Sequence, residues 1–491
     1  YPNLVKDLGR TEQTDETWRS MNNAYAELQL LDGLSFKTTV GFDLLEVRGH
    51  QYWAPNSSDG MASDGYAGEE NTKRQQITSS NILTYTQSFN KVHNIDLLAG
   101  FEMEEIQQEN ISTEGANFPN NVITTLDVAA KPLSSYRNDD ISRLNSWLSR
   151  LNYNYNNTYY FAMSYRRDGS SRLGSENRWG DFWSVSGSWR LSQENFMQGM
   201  GWVDDWKIRA SYGVNGNLPT MWYGSQNLYA YGEAYNSEPG SEKIQYENPE
   251  LRWEKNKNLS IATEASLFDF LTVELEYFDR TTSDLLQLVP VSRITGFDNY
   301  WDNIGEMRNK GWEANIQTVN FSRGDFVWTT NLNLYHYTNE ITELYNGEDI
   351  QDFPFVLREG ESYNTFYLRD WAGVNPENGH GQWYVIEDGQ RVDNDGDGKK
   401  DITENVFEAA RTVVGSSDPD LAGSLNNSLT FKGLDFSFLV SFQLGGESYF
   451  DMAPYFWDDG ANLYTPVTQA AYDNRWQGPG DEATFPKPVY S

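Results

Sequence analysis

The chain has 491 residues and a formal net charge of −34, from 37 basic and 71 acidic residues. This acidic balance disfavours binding to nucleic acid or to an anionic membrane surface, because both would repel the protein. The absence of cysteine excludes disulfides, thiolate metal sites and cysteine nucleophiles. No apolar run approaches the roughly 18 residues that a membrane helix needs, which argues against a helical membrane protein.

Stretches that alternate apolar and polar residues recur along the chain in pairs. From Trp183 to Leu191 the odd-numbered residues are apolar or glycine, and the even-numbered ones are serine or arginine. Because a strand repeats every two residues, this pattern predicts a strand with one apolar and one polar face. Asp32-Gly33, Asn156-Asn157 and Lys432-Gly433 suit hairpin turns, since Gly, Asn and Asp tolerate a positive φ. Seven hairpins are predicted: 24–30 with 35–47, 81–89 with 94–103, 147–155 with 159–166, 183–191 with 206–214, 259–267 with 271–279, 311–320 with 326–337, and 424–430 with 434–443.

Long polar connections are predicted between these hairpins. A short helix is predicted on the opposite, short-turn side, from Ser192 to Met200. Short turns on one side and long loops on the other are typical of a transmembrane β-barrel. Aromatic residues make up 15% of the chain, as expected for girdles at two membrane interfaces, although a large β-sandwich or propeller is an alternative. The predicted connections cover 48–80, 104–145, 167–182, 215–258, 280–310, 338–423 and 444 onward.

Four sequence blocks, in order, resemble the SusC/RagA family of TonB-dependent outer-membrane transporters. The first runs from Arg167-Asp168-Gly169-Ser170-Ser171-Arg172 to Asn215-Gly216-Asn217. The second is Asn248-Pro249-Glu250-Leu251-Arg252-Trp253-Glu254, with Asp284-Leu285-Leu286. The third includes Asn303-Ile304-Gly305-Glu306, and the fourth runs from Val414-Gly415 to Lys432-Gly433-Leu434-Asp435. The resemblance covers nearly the whole chain. Trp183 and Trp312 depart from the usual family residues without placing the resemblance in doubt.

This resemblance implies an all-β fold, an antiparallel transmembrane β-barrel of the TonB-dependent transporter type in a Gram-negative outer membrane. Family members carry a signal peptide, a TonB-contacting segment and a plug domain before the barrel, and further barrel strands after the point at which this chain stops, Ser491. Residues 1–491 are therefore expected to be one partial barrel segment without plug, signal peptide or closing strands. The implied function is TonB-dependent uptake of oligosaccharides or peptides together with a SusD-like surface lipoprotein.

One local motif predicts a metal site. The segment 393–404 has the spacing of a calcium-binding loop, with Gly398 at its sharp turn. The predicted ligands are the side chains of Asp393, Asp395, Asp397 and Glu404, the backbone carbonyl of Lys399, and Asp401 through water. A calcium ion here would be structural. The alternative is an acidic, solvated loop.

Three aromatic clusters in the connections are predicted to contact substrate, because flat rings stack on sugars and neighbouring carboxylates bind hydroxyls. The alternative is that they pack the loops together or contact a lid protein. Their candidate residues are Tyr52 and Trp53, then Trp222, Tyr223, Tyr229 and Tyr231, and finally Trp457 beside Asp458 and Asp459.

No enzymatic activity and no organic cofactor are expected. The four histidines lack metal-ligand spacing, and no phosphate-binding GxxxxGK pattern occurs. Two other functions stay open at this stage. A passive porin would share the barrel, and a soluble secreted glycan-binding β-protein would share the aromatics, the acidity and the calcium loop.

Overall fold

The computed structural model of the chain describes residues 7–235, 238–457 and 467–489. Within these ranges one antiparallel sheet of 14 strands dominates, and β1 and β27 are its two outer strands. Its strands, in spatial order, are β1 (Thr11–Leu31), β2 (Leu34–Trp53), β3 (Tyr66–Phe89), β4 (His93–Ala116), β5 (Lys131–Tyr155), β6 (Tyr159–Ser170), β7 (Trp179–Arg190), β8 (Val203–Asn217), β11 (Glu254–Leu267), β12 (Leu271–Ser283), β15 (Glu306–Arg323), β16 (Phe326–Glu343), β26 (Leu421–Phe431) and β27 (Leu434–Leu444).

Short strands form small separate sheets within the connections. In the described ranges no helix is both long enough and apolar enough to cross a membrane. Two short helices cover Ala453–Phe456 and Gln469–Asp473. The small sheets are β9 (Leu228–Tyr235) with β10 (Glu238–Gln245); β13 (Leu286–Pro290) with β14 (Asn299–Asn303); β17 (Ile350–Asp352), β18 (Phe355–Leu357), β19 (Thr365–Arg369) and β25 (Arg411–Ser416); β20 (Trp371–Val374), β21 (Gly381–Tyr384) and β24 (Ile402–Thr403); and β22 (Ile386–Glu387) with β23 (Gln390–Arg391).

All seven predicted hairpins are confirmed, and their turns use the residues that the sequence indicated. Asn156 and Asn157 both adopt a positive φ, 52° and 53°, in the turn between β5 and β6. Gly33 has a φ of +79° after β1, and Lys432 and Gly433 are both at positive φ between β26 and β27. Glycine and asparagine adopt these backbone conformations at little cost.

The strands are longer than predicted, so most of the predicted connections are too long. The connection predicted over 48–80 shrinks to 54–65, because β2 and β3 pair without interruption up to Trp53 and Tyr66. On β2, Val40 and Phe42 share a face with Glu46 and Arg48. Charged residues therefore replace apolar ones on this face toward the end of the strand, while Leu45 and Val47 lie on the opposite face, although the backbone pairing continues.

The helix predicted from Ser192 to Met200 is wrong. The chain forms a single 3-10 turn at Leu191–Gln193, followed by irregular turns. A helix of nine residues gains too few hydrogen bonds to form alone. Here Leu191 and Met197 are buried instead, and the side chain of Glu194 accepts hydrogen bonds from Tyr159 and Trp189 on the neighbouring strands.

Internal contacts divide the chain into two compact units. The first contains 1–199, 207–259 and 284–303, and the second contains 200–206, 260–283 and 304–491. In the first unit, buried apolar residues gather beside the long connections. The first unit has two such clusters, one around Tyr52 and Phe118 and one of Leu173, Phe182 and Trp253.

Candidate functional site

The apolar face of the sheet in the first unit is exposed. One cross-strand row on this face joins paired residues of adjacent strands: Tyr85, Leu97, Leu151, Met163, Val185 and Tyr212. Met163 is 46% exposed, and Leu97 and Tyr212 are similarly open. A soluble protein rarely leaves so continuous an apolar surface facing water, so this face fits an apolar surrounding.

Aromatic side chains border this apolar row at two levels. Near the short turns, Tyr155, Tyr159, Trp189 and Phe196 follow one another with successive ring-centroid distances of 6.3, 6.3 and 6.4 Å. Eight residues further along β5, Trp147 contacts Phe101 with a centroid distance of 4.5 Å. Eight residues of a strand tilted as in a barrel rise about 20 Å, close to the roughly 25 Å apolar band of an outer-membrane barrel.

The opposite face of the same strands is polar and internally paired. Arg166 donates from Nε to Asp168 at 2.7 Å, from Nη1 to Glu102 at 2.9 Å and from Nη2 to Ser146 at 2.8 Å. Asp168 and Ser146 are buried in the wall. Arg166 is thus compensated by two carboxylates, and its main role is to stabilise the sheet.

Arg172, in the connection between β6 and β7, ties together segments far apart in sequence. Its guanidinium donates to the Ser142 hydroxyl at 2.9 Å and to the carbonyl of Pro219 at 3.2 Å. The same group lies 4.6 Å from the centre of the Trp222 ring, a favourable cation–π contact. Burial lowers the pKa of Arg172, with the charge of Arg74 acting in the same direction.

Two asparagines hold the β13–β14 hairpin against the segment 248–252. The Asn303 side chain is buried; it donates to the carbonyls of Arg252 and Asp284, both at 2.9 Å, and accepts from the Arg252 N–H at 2.8 Å. Asn248 donates to the Trp301 carbonyl at 2.9 Å. Sequence reasoning did not identify these residues as a site; the family motifs that contain them were the available signal.

The predicted metal loop brings together three of its six proposed ligands. Carboxylate oxygens of Asp393, Asp395 and Asp401 all lie within 4.8 Å of one another. The Asp397 carboxylate instead accepts the N–H of Lys399 at 2.7 Å. Within the loop, the Asp393 carboxylate accepts hydrogen bonds from the backbone N–H groups of Gly396 and Gly398.

The sixth proposed ligand, Glu404, is hydrogen-bonded to residues outside the loop. It accepts hydrogen bonds from the amides of Asn375, at 2.5 Å, and Asn378, at 3.0 Å. These two donors, foremost that of Asn375, hold the pKa of Glu404 below its usual range. In this arrangement Glu404 ties the acidic loop to the turn after β20.

The predicted substrate-contacting rings differ in how much of them is open. Tyr52 is only 3% exposed and packs edge-on against Phe118, with a centroid distance of 5.2 Å, so its ring is used in packing. Trp53 is half-buried and packs against Tyr66, with a ring-centroid distance of 4.6 Å. Tyr229 is exposed, and Tyr231 is 80% exposed on the small β9 strand.

The remaining rings also have partners. Besides the stacking of Trp222 on Arg172, the hydroxyl of Tyr223 accepts the Ile141 N–H at 3.0 Å. Trp457 packs against Phe450 and Phe485. The adjacent Asp458 and Asp459 lie outside the described residues. Tyr229 and Tyr231 are therefore the most exposed of the candidate rings.

A sequence profile of the family described as TonB dependent receptor-like, beta-barrel matches residues 1–474. The chain belongs to this family. Its members are outer-membrane receptors and transporters. Comparison with curated relatives and solved structures shows the same family.

TonB-dependent receptor P39 of Formosa agariphila is 29% identical over 94% of this chain and 48% of its own length. TonB-dependent receptor SusC of Bacteroides thetaiotaomicron is 26% identical over 84% of this chain and 41% of its own length. Among solved structures, the RagAB peptide importer in its closed-closed state matches with a TM-score of 0.88 and 25% identity, over 98% of this chain and 53% of that one. The chain thus spans about half the length of the curated relatives it matches.

The structural similarity confirms the predicted antiparallel barrel fold of the TonB-dependent receptor family. The described strands supply the alternating faces that this architecture needs, one apolar and one polar.

Proposed function

We propose that this chain is part of a SusC/RagA-type nutrient importer in a Gram-negative outer membrane. The exposed apolar row through Leu97, Met163 and Tyr212, bordered by aromatic rings at two levels, carries the proposal. Such a face is stable in hydrocarbon, where each exposed apolar side chain avoids contact with water. The paired polar face, with Arg166 between two acids, fits the interior of a barrel.

The proposed cargo is an oligosaccharide or a peptide, captured with a SusD-like surface lipoprotein and released by the TonB complex. The similarity to SusC and to a peptide importer supports this cargo class and partner. The connections opposite the short turns, such as the β9–β10 hairpin with its exposed Tyr231, would face the lipoprotein and the cargo. TonB would act through segments of the protein other than these strands.

Uptake measurements on the full-length protein in its native cells test this proposal. We expect uptake of a labelled oligosaccharide or peptide mixture to require the protein, the proton gradient and TonB. Loss of the SusD-like partner should reduce uptake at low cargo concentration. Uptake that persists without TonB or the gradient would favour a passive porin. Release of the protein from cells without detergent would favour a soluble glycan-binding protein.

We further propose that the 393–404 loop binds one calcium ion in a structural role. The convergence of Asp393, Asp395 and Asp401 supports it, because carboxylates this close repel one another unless a cation lies between them. Isothermal titration calorimetry with calcium should detect binding that Asp395→Ala abolishes and that Glu348→Ala, an acid outside the loop, leaves intact. No heat at millimolar calcium, or equal heat for both variants, would reject the site.

A further inference from the structure

A carboxylate lies among the aromatic rings near the short turns of the first unit. Glu194 Oε1 accepts the Tyr159 hydroxyl at 2.5 Å and the Trp189 indole N–H at 3.0 Å. The Tyr159 and Trp189 rings are nearly parallel, 13° apart, and Phe196 meets Trp189 edge-on. Among the described residues no basic side chain forms an ion pair with Glu194.

This cluster has the chemistry of an ammonium site. The two hydrogen bonds fix the carboxylate on the apolar side of the sheet, where Tyr159 and the 60%-exposed Phe196 remain open. Aromatic faces attract cations through their quadrupole, and a partly desolvated carboxylate adds direct charge attraction. An anionic group would instead be repelled by Glu194.

A groove opens on the same face, deeper along the same strands. It has a volume of about 460 Å³ and is lined mainly by apolar side chains, among them Leu83, Leu97, Leu151, Met163 and Tyr165. Ala99, which is small, forms part of its floor between larger neighbours. This volume lies within the range of ordinary small-molecule sites, roughly 300–1,000 Å³.

The two features have the spacing of a lipid headgroup and its acyl chain. Tyr159 and Met163 lie four residues apart on β6, or about 13 Å along the strand. The cluster lies at the level of the aromatic girdle, where headgroups begin, and the groove lies within the apolar band. The short turns of such barrels face the periplasm, so the leaflet concerned is the phospholipid leaflet.

We propose that this surface binds one phospholipid with a primary-ammonium headgroup, phosphatidylethanolamine, with its ammonium at Glu194 and an acyl chain in the groove. The proposal rests on the membrane location proposed above. It assigns to Glu194 and its rings a preference for the zwitterionic lipid over phosphatidylglycerol, whose headgroup has no cation. Tyr159 and Trp189 act by positioning the carboxylate and by contacting the ammonium.

Native mass spectrometry of the full-length protein, released from vesicles with equal amounts of phosphatidylethanolamine and phosphatidylglycerol, tests the proposal. We expect wild type to retain phosphatidylethanolamine about fivefold over phosphatidylglycerol, the size of one exposed ion pair combined with a cation–π contact. Glu194→Gln keeps an acceptor oxygen for both hydrogen bonds but removes the charge. It should reduce the ratio to about one without changing the total lipid retained.

A second variant separates the groove from the headgroup. Ala99→Leu fills the groove and should reduce the retention of both lipids while leaving the ratio unchanged. Equal retention of both lipids by wild type, or a preference that Glu194→Gln does not alter, would overturn the proposal. Retention of lipopolysaccharide at this face, or dimerisation of the protein through it, would also overturn the proposal. A protein that fails to enter vesicles at all would refute the proposed membrane location instead, so the two failures are distinguishable.

Discussion

A single arginine placed on the apolar face should destabilise the protein far more than one placed on the polar face. Val185 and Ser186 are neighbours on β7 and point to opposite sides of the sheet. Val185 pairs with Met163 on one side and Tyr212 on the other, inside the apolar row. Val185→Arg and Ser186→Arg are therefore a matched pair that places the same charge on opposite sides of the sheet.

The expected magnitude follows from the depth of Val185. It is four residues from Trp189 in the short-turn girdle, so it lies about 10 Å inside the apolar band when the strand tilt is included. An arginine near the bilayer midplane costs about 2–4 kcal/mol in an outer-membrane barrel. Ser186→Arg faces the polar side and should cost less than about 1 kcal/mol.

Guanidinium unfolding of the full-length protein in phospholipid vesicles, followed by tryptophan fluorescence, gives both free energies of unfolding. We expect the Val185→Arg variant to lose at least about 2 kcal/mol more than the Ser186→Arg variant. Equal losses, or a larger loss for Ser186→Arg, would mean that the exposed apolar row does not lie in hydrocarbon. The assignment of the two faces would then be wrong.

Three further outcomes are expected. Asn303→Ala should destabilise the protein by about 1–3 kcal/mol, because three backbone groups lose their hydrogen bonds to this buried side chain. It should also speed hydrogen exchange in β13 and β14, whereas Asn299→Ala, at an exposed position of the same hairpin, should do neither. Arg166→Met should lower the free energy of unfolding by about 1–3 kcal/mol, because it leaves the carboxylates of Glu102 and Asp168 unpaired. Adding Asp168→Asn should recover part of this loss. Additive losses for the two substitutions would contradict the pairing. Hydrogen bonds lower the pKa of Glu404 in the folded protein, so its contribution to the free energy of unfolding should be complete above the unfolded pKa of about 4.3 and lost as pH falls through the lower folded value. In calcium-free buffer, the melting temperature of wild type should therefore exceed that of Glu404→Gln near neutral pH, and the difference should shrink on acidification. A difference that stays constant with pH would contradict this linkage.

Sequence reasoning identified the membrane-band portions of the strands because alternation is a local property. Trp183 to Leu191 shows its two faces without knowledge of any partner strand. The same reasoning missed the distal parts of β2 and β3, where residues such as Arg48 and His50 occupy the face that was apolar lower down. Where neither face stays apolar, the residue pattern no longer predicts a strand, and backbone pairing with the neighbouring strand maintains it.

The predicted calcium loop shows the same division. The spacing of its acids was evident from the sequence, and three of them do converge. The attachment of Glu404 to Asn375 and Asn378 was not evident, because it depends on where a turn 26 to 29 residues away is placed.

The sequence by itself determined the strands, their two faces, the tight turns and the family, since each depends on residues close together along the chain. Tertiary structure alone decided how far the strands extend, which rings remain open, and that Asn303 would hold a hairpin through partners 19 and 51 residues away. It also decided that Glu194 would lie among aromatic rings instead of on a helix. The physical reason is that hydrogen bonds and burial depend on distances in space, which the order of residues specifies only where the chain is locally regular.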